Sequence, residues 1–173
     1  MLSKNRVIQK VVAQAPNVVK KGVDLLPSTM TKHSLQFTLN QFFKTDLQQG
    51  RLDFLRNQTV KVVVSDIQLE FIVTLNPQQM APRLQVVMAN QDADILFRGN
   101  MDDLFLLVTQ KVDPDTLFFR RKLMLIGDTE LGLELKNYLD TIELRERLPA
   151  SLYQLSEDIA AEVLLTRSQT TQG

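Results

Sequence analysis

The chain has 173 residues, no cysteine, a single histidine, and 20 acidic against 20 basic side chains. That length predicts one domain with a core able to stand alone. The missing cysteines exclude disulfides, thiolate zinc sites, Cys-ligated iron–sulfur clusters and a cysteine nucleophile on this chain, and the balanced charge argues against a nucleic-acid partner.

Residues 1–32 differ from the rest. Lys4, Arg6, Lys10, Lys20, Lys21 and Lys32 stand against one carboxylate, Asp24. Ile8, Val11, Val12 and Ala15 share a helical face. Pro16 ends that helix or starts the next, and Val18, Val19, Val23 and Leu26 continue an apolar face up to Pro27. A basic amphipathic arm can lie on an anionic membrane or dock on its own domain, and both readings stay open. Lys and Gln interrupt any signal-peptide core, and no window reaches the roughly 18 apolar residues of a spanning helix. The expectation is a soluble cytoplasmic chain, with peripheral contact at the inner membrane as one role for the arm.

Leu35, Leu39, Phe42, Phe43 and Leu47 recur at helical spacing, predicting a helix over 34–48 that Gly50 stops. Strands follow. Val60, Val62 and Val64 alternate with Lys61, Val63 and Ser65. Leu69, Phe71, Val73 and Leu75 alternate with Glu70, Ile72 and Thr74. After an Asn76-Pro77 turn, Leu84, Val86 and Met88 alternate with Gln85, Val87 and Ala89. A polar turn over 90–92 leads to Ile95 and Phe97. Period-two alternation between turns predicts an antiparallel meander with one strongly apolar face.

Asn100 reads as the cap of a further helix, with Asp103 three residues on. Met101, Leu104, Phe105, Leu107 and Val108 make that helix apolar on more than half its circumference. Asp113 caps a short helix carrying Leu117, Phe118 and Phe119, with Pro114 at its first position. Arg120, Arg121 and Lys122 form a basic joint: a solvated strand end, or a hold on a lipid phosphate, a membrane surface or an acidic partner. Leu123–Ile126 read as a buried strand closed by Gly127. Asp128 caps a helix whose apolar face is Leu131, Leu135, Tyr138 and Leu139. Gly132 stands inside it at a cost of about 1 kcal/mol relative to Ala, so a close approach to the sheet or a ligand is one reason for it, and plain tolerance the other. Ser151 can cap a last helix carrying Leu152, Leu155, Ile159 and Val163. Residues 168–173 read as a polar, disordered tail.

Catalytic machinery is hard to find. There is no Gly-x-Ser-x-Gly elbow, phosphate-binding Gly-rich loop or paired-His motif. The carboxylate pairs Asp92/Asp94, Asp102/Asp103, Asp113/Asp115 and Asp128/Glu130 fall in turns or at helix starts, where Asp is expected for capping. His33 has no partner in sequence and reads as solvated.

The order of helix, four strands, two helices, fifth strand and closing helix resembles the type 2 sterol carrier protein family, from about Ser34 to Glu143. Ala93-Asp94-Ile95, Asp103-Leu104 and Gly127-Asp128 are general marks of that resemblance. The words Asp113–Phe119 and Gly127–Asn137 are more specific, and are similar to the branch that serves oxygen-independent ubiquinone biosynthesis. A sister branch carries a long C-terminal coiled coil, whereas residues 150–165 offer a short helix without sustained heptads.

The resemblance implies an α+β fold: a five-stranded, mainly antiparallel sheet covered by helices and enclosing an apolar lipid tunnel. The expected layout is a basic arm (1–32), a lipid-binding domain (33–143), a C-terminal helix (144–167) and a tail (168–173). Alternation and helical spacing then select the lining: Phe42, Val62, Phe71, Val73, Val86, Ile95, Phe97, Leu104, Phe105, Val108, Leu117, Phe118, Leu125, Leu131 and Leu135. Arg120, Arg121, Lys122, Lys4 and Lys10 would meet a headgroup or membrane. The implied role is non-catalytic and needs no cofactor or metal. The chain would bind a prenylated quinone precursor and present its ring to the iron–sulfur hydroxylases UbiU and UbiV. A general phospholipid or fatty-acid carrier, and an enzyme, are the competing readings.

Overall fold

A computed structural model describes the backbone of residues 2–76, 82–88 and 91–170; the side chains of 2–7, 9–11, 169 and 170 lie outside the description. Parts of both predicted strand turns, including Pro77 and Asn90, therefore lie outside the described residues.

The five strands are β1 (Val60–Val64), β2 (Leu69–Leu75), β3 (Leu84–Val87), β4 (Ile95–Gly99) and β5 (Leu123–Gly127). They lie in the order β3-β2-β1-β4-β5. The predicted meander is corrected at one pairing. β4 crosses to the far side of β1 and runs parallel to it, while the other three pairings are antiparallel. Asp94 and Thr59 lock the entry to this parallel pair. The Asp94 carboxylate accepts from the Thr59 backbone N–H (2.7 Å) and hydroxyl (2.6 Å), and the Asp94 N–H donates to Thr59 Oγ1 (3.0 Å).

The register puts the alternating apolar residues on one face. Val62 stands opposite Phe71 on one side and Phe97 on the other, and Phe97 stands opposite Leu125. Val60 is in register with Val73 and Ile95, and Val73 with Val86. Helices cover this face: α2 (Ser28–Phe42), α4 (Met101–Val108), α5 (Pro114–Phe119) and α6 (Thr129–Asp140) all contribute to the main hydrophobic cluster. On the other face Lys61 pairs with Glu70 at 3.1 Å beside the buried Val63 and Ile72.

Several element boundaries differ from expectation for visible reasons. The helix expected over 34–48 starts earlier, at Ser28 after Pro27, and breaks at Phe43 (φ −97°, ψ 14°) into α2 and a short α3 (Lys44–Gln48). Asn100 sits at the cap position of α4 without a side-chain cap bond. Asp66 Oδ1 takes the Met101 N–H instead (3.0 Å), and Asp103 turns to an ion pair with Arg167 (2.8 Å). Asp113 and Asp128 cap as predicted, accepting from Thr116 N (2.9 Å) and from Glu130 N and Leu131 N (both 2.9 Å).

The two ends of the chain form a second layer. α1 is one 24-residue helix, Leu2–Leu25, that runs through Pro16. α7 spans Ala150–Thr170, so Ser151 lies inside its first turn, and Ser168–Thr170, expected as tail, are helical. α1 and α7 pack on each other. Val12, Leu106, Ala160 and Val163 form a separate buried cluster there, with Ile8, Phe105, Val112, Ile159 and Leu164 against it. The arm thus docks through its first half. Its second half leaves Val18, Val19, Leu25 and Leu26 exposed.

Candidate functional site

The predicted lining residues come together in one apolar layer between sheet and helices. Phe71, Val73, Val86, Ile95, Phe97, Leu117, Leu131 and Leu135 are buried members of the main cluster, and Phe42, Val62, Leu104, Val108, Phe118 and Leu125 pack against it. Phe105 does not join them. It points to the second cluster under α1 and α7, because α4 is apolar on both sides and shares its residues between two layers.

Val62 gives the layer its most informative feature. It is the middle residue of the middle strand, on the covered face, between Phe71 and Phe97. Such a position in a fully packed core is sealed. Its strand neighbours on that face, Val60 and Val64, are sealed at 4% and 7% exposure. Val62 itself keeps accessible surface, and so do Leu125, Leu104, Phe118 and Phe42 around the layer. The helices therefore do not close tightly over the centre of the sheet.

A polar tie fixes one end of the layer. Asp46, on α3, is 2% exposed and accepts a hydrogen bond from the Tyr138 hydroxyl (2.8 Å) and one from Arg147. Arg147 also donates to the Phe42 carbonyl (3.0 Å) and lies over the rings of Phe42 and Phe43, 5.1 and 5.7 Å from their centroids. Burial, and then the bond to Asp46, hold the Tyr138 hydroxyl well above its ordinary pKa. This tie joins α3, α6 and the segment before α7. No sequence pattern singles it out, because a lone Asp in a helix start does not reveal partners so distant along the chain.

The remaining expected site residues lie at the periphery. Arg120, Arg121 and Lys122 are exposed in the turn between α5 and β5, where Arg121 has φ 55°. Lys4 and Lys10 fall within α1, but their side chains lie outside the described residues. His33 is exposed, with Nδ1 2.7 Å from the Thr29 carbonyl of its own helix. Each carboxylate pair has at least one member in a structural contact: Asp94 with Thr59, Asp103 with Arg167, Asp113 and Asp128 as caps, and Asp115 with Lys136. Among the described residues no cluster of three or more His, Asp or Glu side chains is placed to hold a metal ion. No described helix is long and apolar enough to cross a membrane.

Residues 39–140 match the SCP-2 sterol transfer family. The chain is 35% identical over 160 residues to the ubiquinone biosynthesis accessory factor UbiT of Escherichia coli strain K12, covering 92% of this chain and 87% of that protein. The protein of the same name from E. coli O157:H7 matches to the same extent. In fold the chain is similar to the SCP2 domain of the ubiquinone synthesis protein UbiJ, with a TM-score of 0.51 at 18% identity over 66% of this chain and 97% of that one. The chain belongs to the SCP-2 sterol transfer family, in the group represented by the ubiquinone biosynthesis accessory factor UbiT.

Proposed function

We propose that this protein is a non-catalytic accessory factor of oxygen-independent ubiquinone biosynthesis. It takes the isoprenoid tail of a quinone precursor into the apolar layer and presents the ring to hydroxylases of the UbiU and UbiV kind. The observation that carries the reading is the accessible Val62 at the centre of the apolar sheet face, between the sealed Val60 and Val64 of its own strand. The physical logic is that of a tail cover. A polyprenyl chain costs roughly 25 cal/mol per Å² of apolar surface held in water. An enzyme outside the bilayer reaches the ring only if another surface shields the tail. Such a tunnel needs shape and apolar walls, not a nucleophile or a base. At least one member of each acidic pair already has a structural duty, which fits that economy.

Mass spectrometry of lipids extracted from the protein, purified from a quinone-making bacterium grown without oxygen, tests this. Prenylated phenols or quinone intermediates are the expected cargo. Phospholipids or fatty acids alone, with normal quinone levels in a deletion strain, would replace the reading with a general carrier.

A further inference from the structure

A cleft of about 460 Å³ opens between α5, the α5–β5 turn and the C-terminal part of α7. Its rim carries Arg120, Lys122 and Arg167; its floor is Val112, Leu117 and Leu164. The volume falls within the roughly 300–1,000 Å³ typical of small-ligand sites. α7 lies beyond the family match over 39–140, so four of the nine residues that line this cleft come from a segment outside the matched domain.

Two independent features define what the cleft would take. The first is charge. Arg120 and Lys122 are exposed, and among the described residues neither has a carboxylate partner, whereas the acids nearby are engaged: Asp113 caps α5 and Asp115 pairs with Lys136. Arg167 supplies the third cation and forms an ion pair with the buried Asp103 at 2.8 Å. The second is the floor. Leu117 is 2% exposed and belongs to the main apolar layer, Leu164 packs on the second cluster, and Val112 touches both. The cleft therefore sits on the seam between the two cores, cationic at the top and apolar at the bottom. A water-soluble anion would leave that floor unused, and a neutral apolar molecule would leave the rim unused.

We propose that this cleft binds the anionic headgroup of an amphiphile, with Arg120, Lys122 and Arg167 around the anion and the start of the apolar chain on Val112, Leu117 and Leu164. The proposal rests on the lipid-binding reading above and assigns its headgroup end. The anion is a carboxylate on a prenylated ring or a lipid phosphate; both offer oxygens to the same cations.

The test compares the full chain with the double variant Arg120→Gln/Lys122→Gln by calorimetric titration. Three detergent-dispersed probes are used: a farnesylated hydroxybenzoate, the matching farnesylated phenol without the carboxylate, and dioleoyl phosphatidate. The control is Arg83→Gln/Arg145→Gln, an equal charge change at exposed residues outside the cleft lining, Arg83 standing next to the sheet edge opposite β5. At least one anionic probe is expected to bind the native chain about tenfold or more tightly than it binds the double variant, while the control and the neutral phenol change little. Loss confined to the carboxylate names a quinone precursor as the source; loss confined to phosphatidate names a phospholipid. Anionic probes that bind native chain and double variant equally, or fail to bind the native chain, overturn the site. If neither prenylated probe binds the native chain, the quinone reading fails by itself, and phosphatidate still decides the cleft.

Discussion

Asp46 concentrates more of the molecule's connectivity than any pattern in the sequence announces. Its carboxylate is buried and accepts from Tyr138 and Arg147, with Arg51 3.7 Å away. Removing it leaves the Arg147 guanidinium, 11% exposed, without its main partner. Asp46→Ala should therefore cost about 3–5 kcal/mol in urea unfolding, as for other buried pairs broken from one side. Tyr138→Phe should cost only about 1 kcal/mol, since Asp46 keeps Arg147. Equal, small losses for both would mean the tie is not what holds α3 to α6. Gly132 sends the opposite message. A Cβ there meets only Ile95 Cδ1, at an ordinary 3.7 Å, so no close approach requires glycine. Gly132→Ala should raise stability by up to about 1 kcal/mol, read as a higher melting temperature. Gly127 is different. Its φ of 131° and the Asp94 carbonyl oxygen, well inside contact distance of where a Cβ would stand, leave no place for a side chain, so Gly127→Ala should destabilise.

The elements show which physical signals survive without tertiary information. Strand identity and face were legible because a half-covered sheet writes a period of two into Val60–Val64 and Leu69–Leu75. The caps Asp113 and Asp128 were legible because they are local. The parallel β1–β4 pairing was not, since alternation records which face a residue takes and says nothing of its neighbour strand. Asn100 misled for a related reason: Asp66, distant in sequence, competes for the Met101 N–H. The edge of β3 also depends on a distant element. Asn40 of α2 donates to the Leu84 carbonyl (2.8 Å) and accepts from the Leu84 N–H (3.0 Å), while Gln36 accepts from Val86 N (3.1 Å). These side chains occupy the ladder that an unprotected edge would offer to another chain. Asn40→Ala should lower stability by about 1 kcal/mol and increase aggregation in light scattering. Acid acts at the entry to the central parallel pair. Hydrogen bonds from the Thr59 hydroxyl, then its backbone N–H, depress the Asp94 pKa below the ordinary carboxylate value. The unfolded chain then binds the proton more readily, so this contribution is full above the ordinary carboxylate pKa and is lost as pH falls through the lower folded value. Asp94→Asn should flatten the acid limb of the stability profile and leave the neutral-pH slope unchanged.

At the scale of the molecule, two cores meet at α4. The main one lies between sheet and helices; the second joins α1 and α7 to the back of α4. The first is legible in the sequence because family motifs and alternation both point to it. Phe105, expected in the first core, belongs to the second, since a helix apolar on most of its circumference does not reveal how its faces are divided. The docking of the arm is not legible, because the partner of its first half, α7, is an element whose own pattern is short and weak. The proposed lipid-binding role requires the unsealed centre of the main core to be binding space. Val62→Phe tests it most directly, because the larger side chain fills that space from the middle strand. Thermal unfolding and titration with a farnesylated phenol are measured on the same preparation. Binding at that place predicts a folded variant with melting temperature kept or raised and affinity for the phenol at least about tenfold weaker. A folded variant that binds the phenol as tightly as the native chain would contradict it.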